Sequence, residues 1–449
     1  MDPNLLAQLQ STCEILRSEC PKIQRVAHHL RNRNDFSKYY SPRMLSLGPI
    51  HHGEPHLKVG EKYKIMWASM YVQRDQEGRA QSLFRNIAEN IEDLKNLYDE
   101  DTIGQFNDQQ LAQMLFLDGC ALLQILKHPD ILKSEPLKAK VDQMALVRQD
   151  ALLLENQLPF RVLHLLSDQP EYRLIEDMKT FLRCHHFSPA DQKLKQKNGA
   201  KEDDSRHLST EVPPQNVAQK GDSHQHHSLD IVVPNPAHLL DQLRRVVLAE
   251  FHPPGNKPAT QESGTITHRN LKELNAAGIQ VKRSKSNSPI DISFSSCCLT
   301  GELKLPNLVV DDTSASTYLN LMAYEACPDF ENEYEISSYI EFLDSLVDHP
   351  DDVKELRKAK VLINRLGSDE ELAKLFNIIG KDVVPNDAIY AYLRDNIESH
   401  YQIKYKAWYA LAMATYCSNP WSITALMAAS LLLILTFVQA WFAAFPSHP

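Results

Sequence analysis

The chain has 449 residues and is 43% hydrophobic, enough for one or two cored units rather than a disordered tail. Its 48 basic and 58 acidic residues give a net charge of -10, which argues against a nucleic-acid binder or a polybasic membrane-surface protein, both of which gain affinity from positive charge. Eight cysteines without a C-x-x-C pair exclude a disulfide scaffold and predict free thiols, with Cys297 and Cys298 as small buried residues.

Residues 1–20 carry Asp2, no positive leading region and an amphipathic pattern, so no secretory signal peptide is expected. Leu83, Phe84, Ile87, Ala88, Ile91, Leu94, Leu97 and Tyr98 recur at intervals of three and four, predicting one amphipathic helix. Similar spacing predicts helices over Leu111–Leu126, Val141–Leu154, Phe160–Leu166 and Leu239–Phe251, while strand-like alternation is confined to pieces such as Ile290–Phe294 and Leu303–Leu305. Ser368 and Glu371 have capping-box spacing before Leu372, Leu375 and Phe376, with Gly380 closing that helix; another is expected from Asp387 through Tyr416.

The domain organisation predicted is a helical N-terminal part over 1–187, a disordered polar insert over 188–236, and a C-terminal helical part over 237–419. The last has a polar, Pro-rich mobile segment near 252–264. Whether the two parts share one core is not decided by periodicity.

From Trp421 to Phe445 the chain carries no charge. About 25 helical residues would cover roughly 37 Å against a hydrocarbon thickness of about 30 Å. A transmembrane helix over 420–445 is therefore expected, with a short tail over 446–449. Trp421, Leu426, Leu431, Leu432, Leu433, Ile434, Leu435, Phe437, Val438 and Trp441 are its membrane-spanning residues, and the lipid bilayer is a partner. Lys404 and Lys406 before the span place the N-terminal body on the cytosolic side. Ala425 and Ala429, four apart, would allow a homo-oligomer through the same helix. The fold class expected is thus mainly α, a multi-helix cytosolic body with a few short strands plus one C-terminal transmembrane helix.

Histidines pair at His28-His29, His51-His52, His185-His186 and His226-His227. Adjacent residues diverge by about 100° on a helix and face opposite sides on a strand, so such pairs are poor metal ligands without help from elsewhere. His51-His52 follows Gly48-Pro49 in a predicted loop and is the best exception. The block DALLLENQLPF, Asp150 to Phe160, sets Asp150, Glu155, Asn156 and Gln157 in a dense apolar run. These could be acid and base groups, but the simpler expectation is that Leu152, Leu153, Leu154 and Leu158 bury, Glu155 and Asn156 tie helix ends or loops, and Pro159 starts the next helix. Phosphate-cradling glycine motifs and the G-x-S-x-G elbow are missing. No catalytic, cofactor or metal residues are assigned, and no cofactor is expected.

Read together, several ordered blocks resemble the plant domain of unknown function 247 family, also called uncharacterised protein family 0481. They are IQRVAHHLRNRN with YYSPRMLSLGPIHHGEPHLKVGEKYK, FLDGCALLQIL, DALLLENQLPFRVLHLL, LKELNAAGIQVK, IDISFSSCCLTGELKLPNLVVDDTSASTYLNLMAYEAC, YEISSYIEFLDSLVDHPDDV, LGSDEELAKLFNIIG and NPWSITALMAASLLLILTFVQAWF. Ala27, Leu47 and Leu319 depart from the family's usual proline, isoleucine and arginine. The resemblance implies a mostly helical, membrane-associated plant protein, with plasma membrane as its location and an undefined activity; some grass members act in pollen self-incompatibility. The function expected is a membrane-anchored protein-recognition or signalling component with a protein partner. The alternative is an unrecognised enzyme or metal-binding protein using the His51-His52 loop with Glu155 or Asp150.

Overall fold

The computed structural model describes residues 21–73, 78–130, 135–183, 234–249, 269–285, 290–297, 300–381, 384–403 and 420–444. Helices dominate, and their positions follow from local signals. Asp108–Leu126 begins at a capping box, with Asn107 Oδ1 accepting from Gln110 N at 2.9 Å and Gln110 Oε1 accepting from Asn107 N at 3.1 Å. It packs on Lys58–Val72 and on Phe160–Leu166. Two glycines permit close approach: a Cβ on Gly60 would lie 1.8 Å from the Met44 carbonyl oxygen, and one on Gly119 would lie 2.4 Å from a Leu166 methyl.

The predicted helix over Leu83–Tyr98 is two helices, Arg79–Glu89 and Ile91–Lys95, because the chain leaves helical geometry at Asn90, whose Nδ2 donates to Asn86 O at 2.8 Å. Val141–Leu154 ends early, at Asp150, and Leu152, Leu153 and Leu154 bury in the turn that follows. Phe160–Leu166 is a helix as predicted. Ser368 caps Asp369–Ile379 by accepting from Glu371 N, while the Glu371 carboxylate reaches Gly367 N instead of completing the box.

Strand content is small. β1 (Ile279–Arg283), β2 (Ser293–Ser296) and β3 (Gly301–Leu305) form a sheet in the order β1-β3-β2, with β1 parallel and β2 antiparallel to β3. β4 (Leu308–Val310) pairs in parallel with β5 (Leu362–Asn364). β1, β4 and β5 were not legible as strands from alternation. Buried apolar residues from Ile23 to Ile397 form one cluster that takes in both sides of the chain around the polar stretch near 188–236. Leu239–Leu248, beyond that stretch, packs on Glu171–Arg183, before it. Most of the polar stretch itself lies outside the described residues, as does 252–264.

The C-terminal expectation is corrected. A helix runs Pro420–Ala444, but among the described residues no helix is long and apolar enough to cross a membrane. Of the residues assigned to a span, Leu431, Leu432, Leu433, Ile434, Leu435, Phe437, Val438 and Trp441 are exposed on this helix, and the side chains of Trp421 and Leu426 lie outside the described ones. The transmembrane helix, the lipid bilayer as partner and the plasma membrane location with its cytosolic body are therefore not supported.

Candidate functional site

The residues singled out in sequence converge on one structure, the loop Pro42–Leu57 and the buried polar block that holds it. Ala151 to Phe160 are buried without exception. A loop so placed must find hydrogen bonds internally, and its side chains supply them. Asp150 ends its helix and accepts from three successive backbone amides, Arg43 N at 3.0 Å, Met44 N at 2.7 Å and Leu45 N at 2.8 Å. Burial pushes its pKa up, against the opposing pull of those amides. Asn156 accepts from Leu47 N at 2.7 Å and donates to Leu45 O and Asp150 O, both at 2.9 Å. Gln157 donates to Ala151 O and Leu153 O and accepts from Leu240 N at 3.0 Å.

Glu155 is the charged centre. It accepts from Val26 N at 2.7 Å, pairs with Arg31 at 2.5 Å, and lies 3.2 Å from His51 Nε2. That last contact is close enough for an ion pair but lacks hydrogen-bond alignment. The other ring nitrogen, His51 Nδ1, meets Glu54 Oε1 at 2.7 Å. Burial alone would lower the His51 pKa, yet Glu155 and Glu54 outweigh it and raise it. Glu155 moves down: burial opposes, but His51, Arg31 and the Val26 amide prevail. His51 and Glu155 are thus brought together as the sequence alternative required. Asp150 is not part of that contact, and His52 turns outward, its ring edge-on to Phe106 at 5.8 Å.

A second charged centre escaped the sequence reading. Lys64, fully buried, lies 2.7 Å from Asp118 Oδ1, 2.7 Å from Glu61 Oε1 and 3.2 Å from Ser46 Oγ, and Asp118 Oδ2 accepts from Gly48 N at 2.9 Å. Burial works against the Lys64 charge, but Asp118 and Glu61 outweigh it and raise the pKa. The available signal was an acid inside the apolar FLDGCALL run and a lysine on the buried face shared with Trp67, Ala68 and Tyr71. Gly48 has φ of 71°, and a Cβ there would lie 2.9 Å from Gln157 O. Asn320 accepts from Leu154 N at 2.8 Å and donates to Tyr39 O at 2.9 Å.

What the arrangement displays is a short segment of fixed backbone. His52, Gly53, Pro55 and His56 are exposed, with His56 Nε2 3.1 Å from Pro42 O and Glu54 between His51 and His56. Among the described residues no group of three or more His, Cys, Asp or Glu is arranged to hold a metal ion. His28 and His29 are exposed, and His185, His186, His226 and His227 lie outside the described residues. Cys297 is exposed rather than buried, and Cys298 is not described. A separate half-open cleft of about 370 Å³ runs between Ile23, Leu97, Phe160 and His164; Arg161 at its rim is paired with Asp93 at 2.8 Å.

Fold and site together define a mainly helical protein with a loop anchored by buried polar side chains. Residues 23–435 match DUF247, a family described as plant protein of unknown function, and the chain belongs to that family. It is similar to a UPF0481 protein of Arabidopsis thaliana, 26% identical over 423 residues that cover 90% of this chain and 82% of the relative. A putative UPF0481 protein of the same plant is 24% identical over 472 residues, covering 91% of this chain and 88% of its own. No solved structure matches.

Proposed function

We propose that the protein is a recognition component, of the kind that serves signalling, and that it meets a protein partner through the loop His51–Leu57. One observation carries this: the buried acids and amides that could have served chemistry are engaged with backbone amides of residues 26, 43, 44, 45, 47 and 48. They fix a surface loop. Binding residues are disproportionately found on loops positioned by a rigid scaffold, since a pre-ordered loop loses little entropy on binding.

The test is site-specific photo-crosslinking of the full chain in plant tissue. A photoreactive residue replaces His52 or His56, with Lys95 on the helix Ile91–Lys95 as control. A discrete adduct from positions 52 and 56, absent from 95 and lost when the other loop histidine is changed to alanine, supports the reading. Adducts equally abundant at all three positions, or none at 52 and 56, overturn it.

A further inference from the structure

The observation is the outer edge of β1, a surface apart from the loop and independent of the reading above. In the parallel pair, Gly301 N donates to Gly278 O at 3.1 Å and Ser284 N donates to Leu305 O. With the register Ile279↔Gly301 through Arg283↔Leu305, these two bonds fix the alternation: Gln280 and Lys282 turn both backbone groups toward β3. Ile279, Val281 and Arg283 therefore turn theirs the other way. Among the described residues no strand lies there, because β1 ends the order β1-β3-β2. Of the three residues whose backbone faces this edge, Arg283 is exposed, Val281 half-buried and Ile279 buried, so the edge opens to solvent toward its Arg283 end.

Its charge selects what can add to it. Against a chain of net charge -10, β1 and its continuation read Lys282-Arg283-Ser284-Lys285. Lys282 pairs with Glu302 on β3, whereas Arg283 and Lys285 are exposed and have no carboxylate within ion-pair distance among the described residues. Cationic side chains on an edge discourage indiscriminate pairing. They also disfavour a second copy of β1, which would set like charges against each other.

We infer that the outer edge of β1 receives an extended acidic segment of a protein partner by strand addition. The backbone of Ile279, Val281 and Arg283 supplies the ladder, and carboxylates on the guest pair with Arg283 and Lys285. Main-chain bonds give affinity in this mode, while alternate side chains give selectivity.

The test uses the full chain and a capped octapeptide alternating valine and glutamate, titrated by fluorescence anisotropy with backbone amide exchange read in parallel. Val281→Pro is the decisive variant, because the Val281 N–H is not used by β3 and proline is tolerated where the edge N–H faces solvent. Binding should weaken at least about 10-fold in Val281→Pro and in Arg283→Glu with Lys285→Glu. It should vanish for a peptide N-methylated at alternate residues, and the Val281 and Arg283 amides should gain protection only with the unmodified peptide. Circular dichroism and an unchanged unfolding midpoint control for folding of the variants. Three outcomes overturn the inference: no binding by the parent chain, equal binding by the charge-reversed variant or the N-methylated peptide, and Val281 and Arg283 amides already protected without peptide, which would mean that another part of this chain fills the edge.

Discussion

His51 Nε2 rests 3.2 Å from Glu155 Oε2 inside the protein, and the same imidazole gives its other nitrogen to Glu54. Two carboxylates on one buried ring make the loop's anchorage depend on protonation. The His51 pKa lies above its ordinary 6.5, so its contribution is complete below 6.5 and disappears as pH rises through the raised folded value. The Glu155 pKa lies below its ordinary 4.5, so its contribution is complete above 4.5 and disappears as pH falls through the lowered folded value. This cluster is therefore most stabilising between about 4.5 and 6.5. Thermal unfolding of the parent chain should show a midpoint that declines above that window, and His51→Gln should flatten the decline. Parallel curves for the two proteins would show that this contact does not set the pH response.

Asp150→Ala removes the acceptor for the amides of Arg43, Met44 and Leu45, and leaves buried donors without partners. A loss of about 3 kcal/mol is expected, with Asp150→Asn losing less because one acceptor oxygen remains. Urea unfolding at fixed pH measures both; a change under about 1 kcal/mol for the alanine variant would contradict the assigned role.

Asn320 tests the tie between distant parts of the chain. Asn320→Ala orphans Leu154 N and removes one of two donors to Tyr39 O, which keeps Ser316 Oγ, and should cost about 1–3 kcal/mol. Asn320→Asp keeps an acceptor for Leu154 but turns a second oxygen toward Tyr39 O and Ser316 O, so at neutral pH it should be at least as damaging and should recover in acid. Denaturation of the aspartate variant across pH decides this; a pH-independent loss would speak against the geometry.

For the second charged centre, Lys64→Met should cost about 3–5 kcal/mol, because Asp118 is left buried without its cation. Adding Asp118→Asn should restore part of the loss, since the amide oxygen can still accept from Gly48 N. A double variant as unstable as the sum of the two single changes would show that the residues do not act as a pair.

Much of this was legible in the chain. The apolar spacing placed the helices, and the dense leucines around Glu155 and Asn156 implied that those polar groups tie loops together. What was not legible depends on contacts between distant residues. The break at Asn90 leaves the three-and-four spacing of Leu83 to Tyr98 intact, so periodicity reads straight through it. β1 carries only one buried residue, Ile279, and its strand identity comes from pairing with β3. Glu155 and His51 each had a bland and a sharp reading, and their meeting, with His52 turned to Phe106, joins distant parts of the chain that spacing does not relate. At the C-terminus hydropathy alone suggested a span, whereas among the described residues no helix is long and apolar enough for one.

The missing side chain at residue 60 reaches further than its own helix. Because the Met44 carbonyl occupies the space where a methyl would stand, the first turn of Lys58–Val72 sits directly on the shelf from which His52 and His56 are shown to solvent. In any other family member, a bulkier residue at the matching place would force that shelf onto a different course. One hidden position thus serves as a gauge of whether two such chains offer the same face to what they meet.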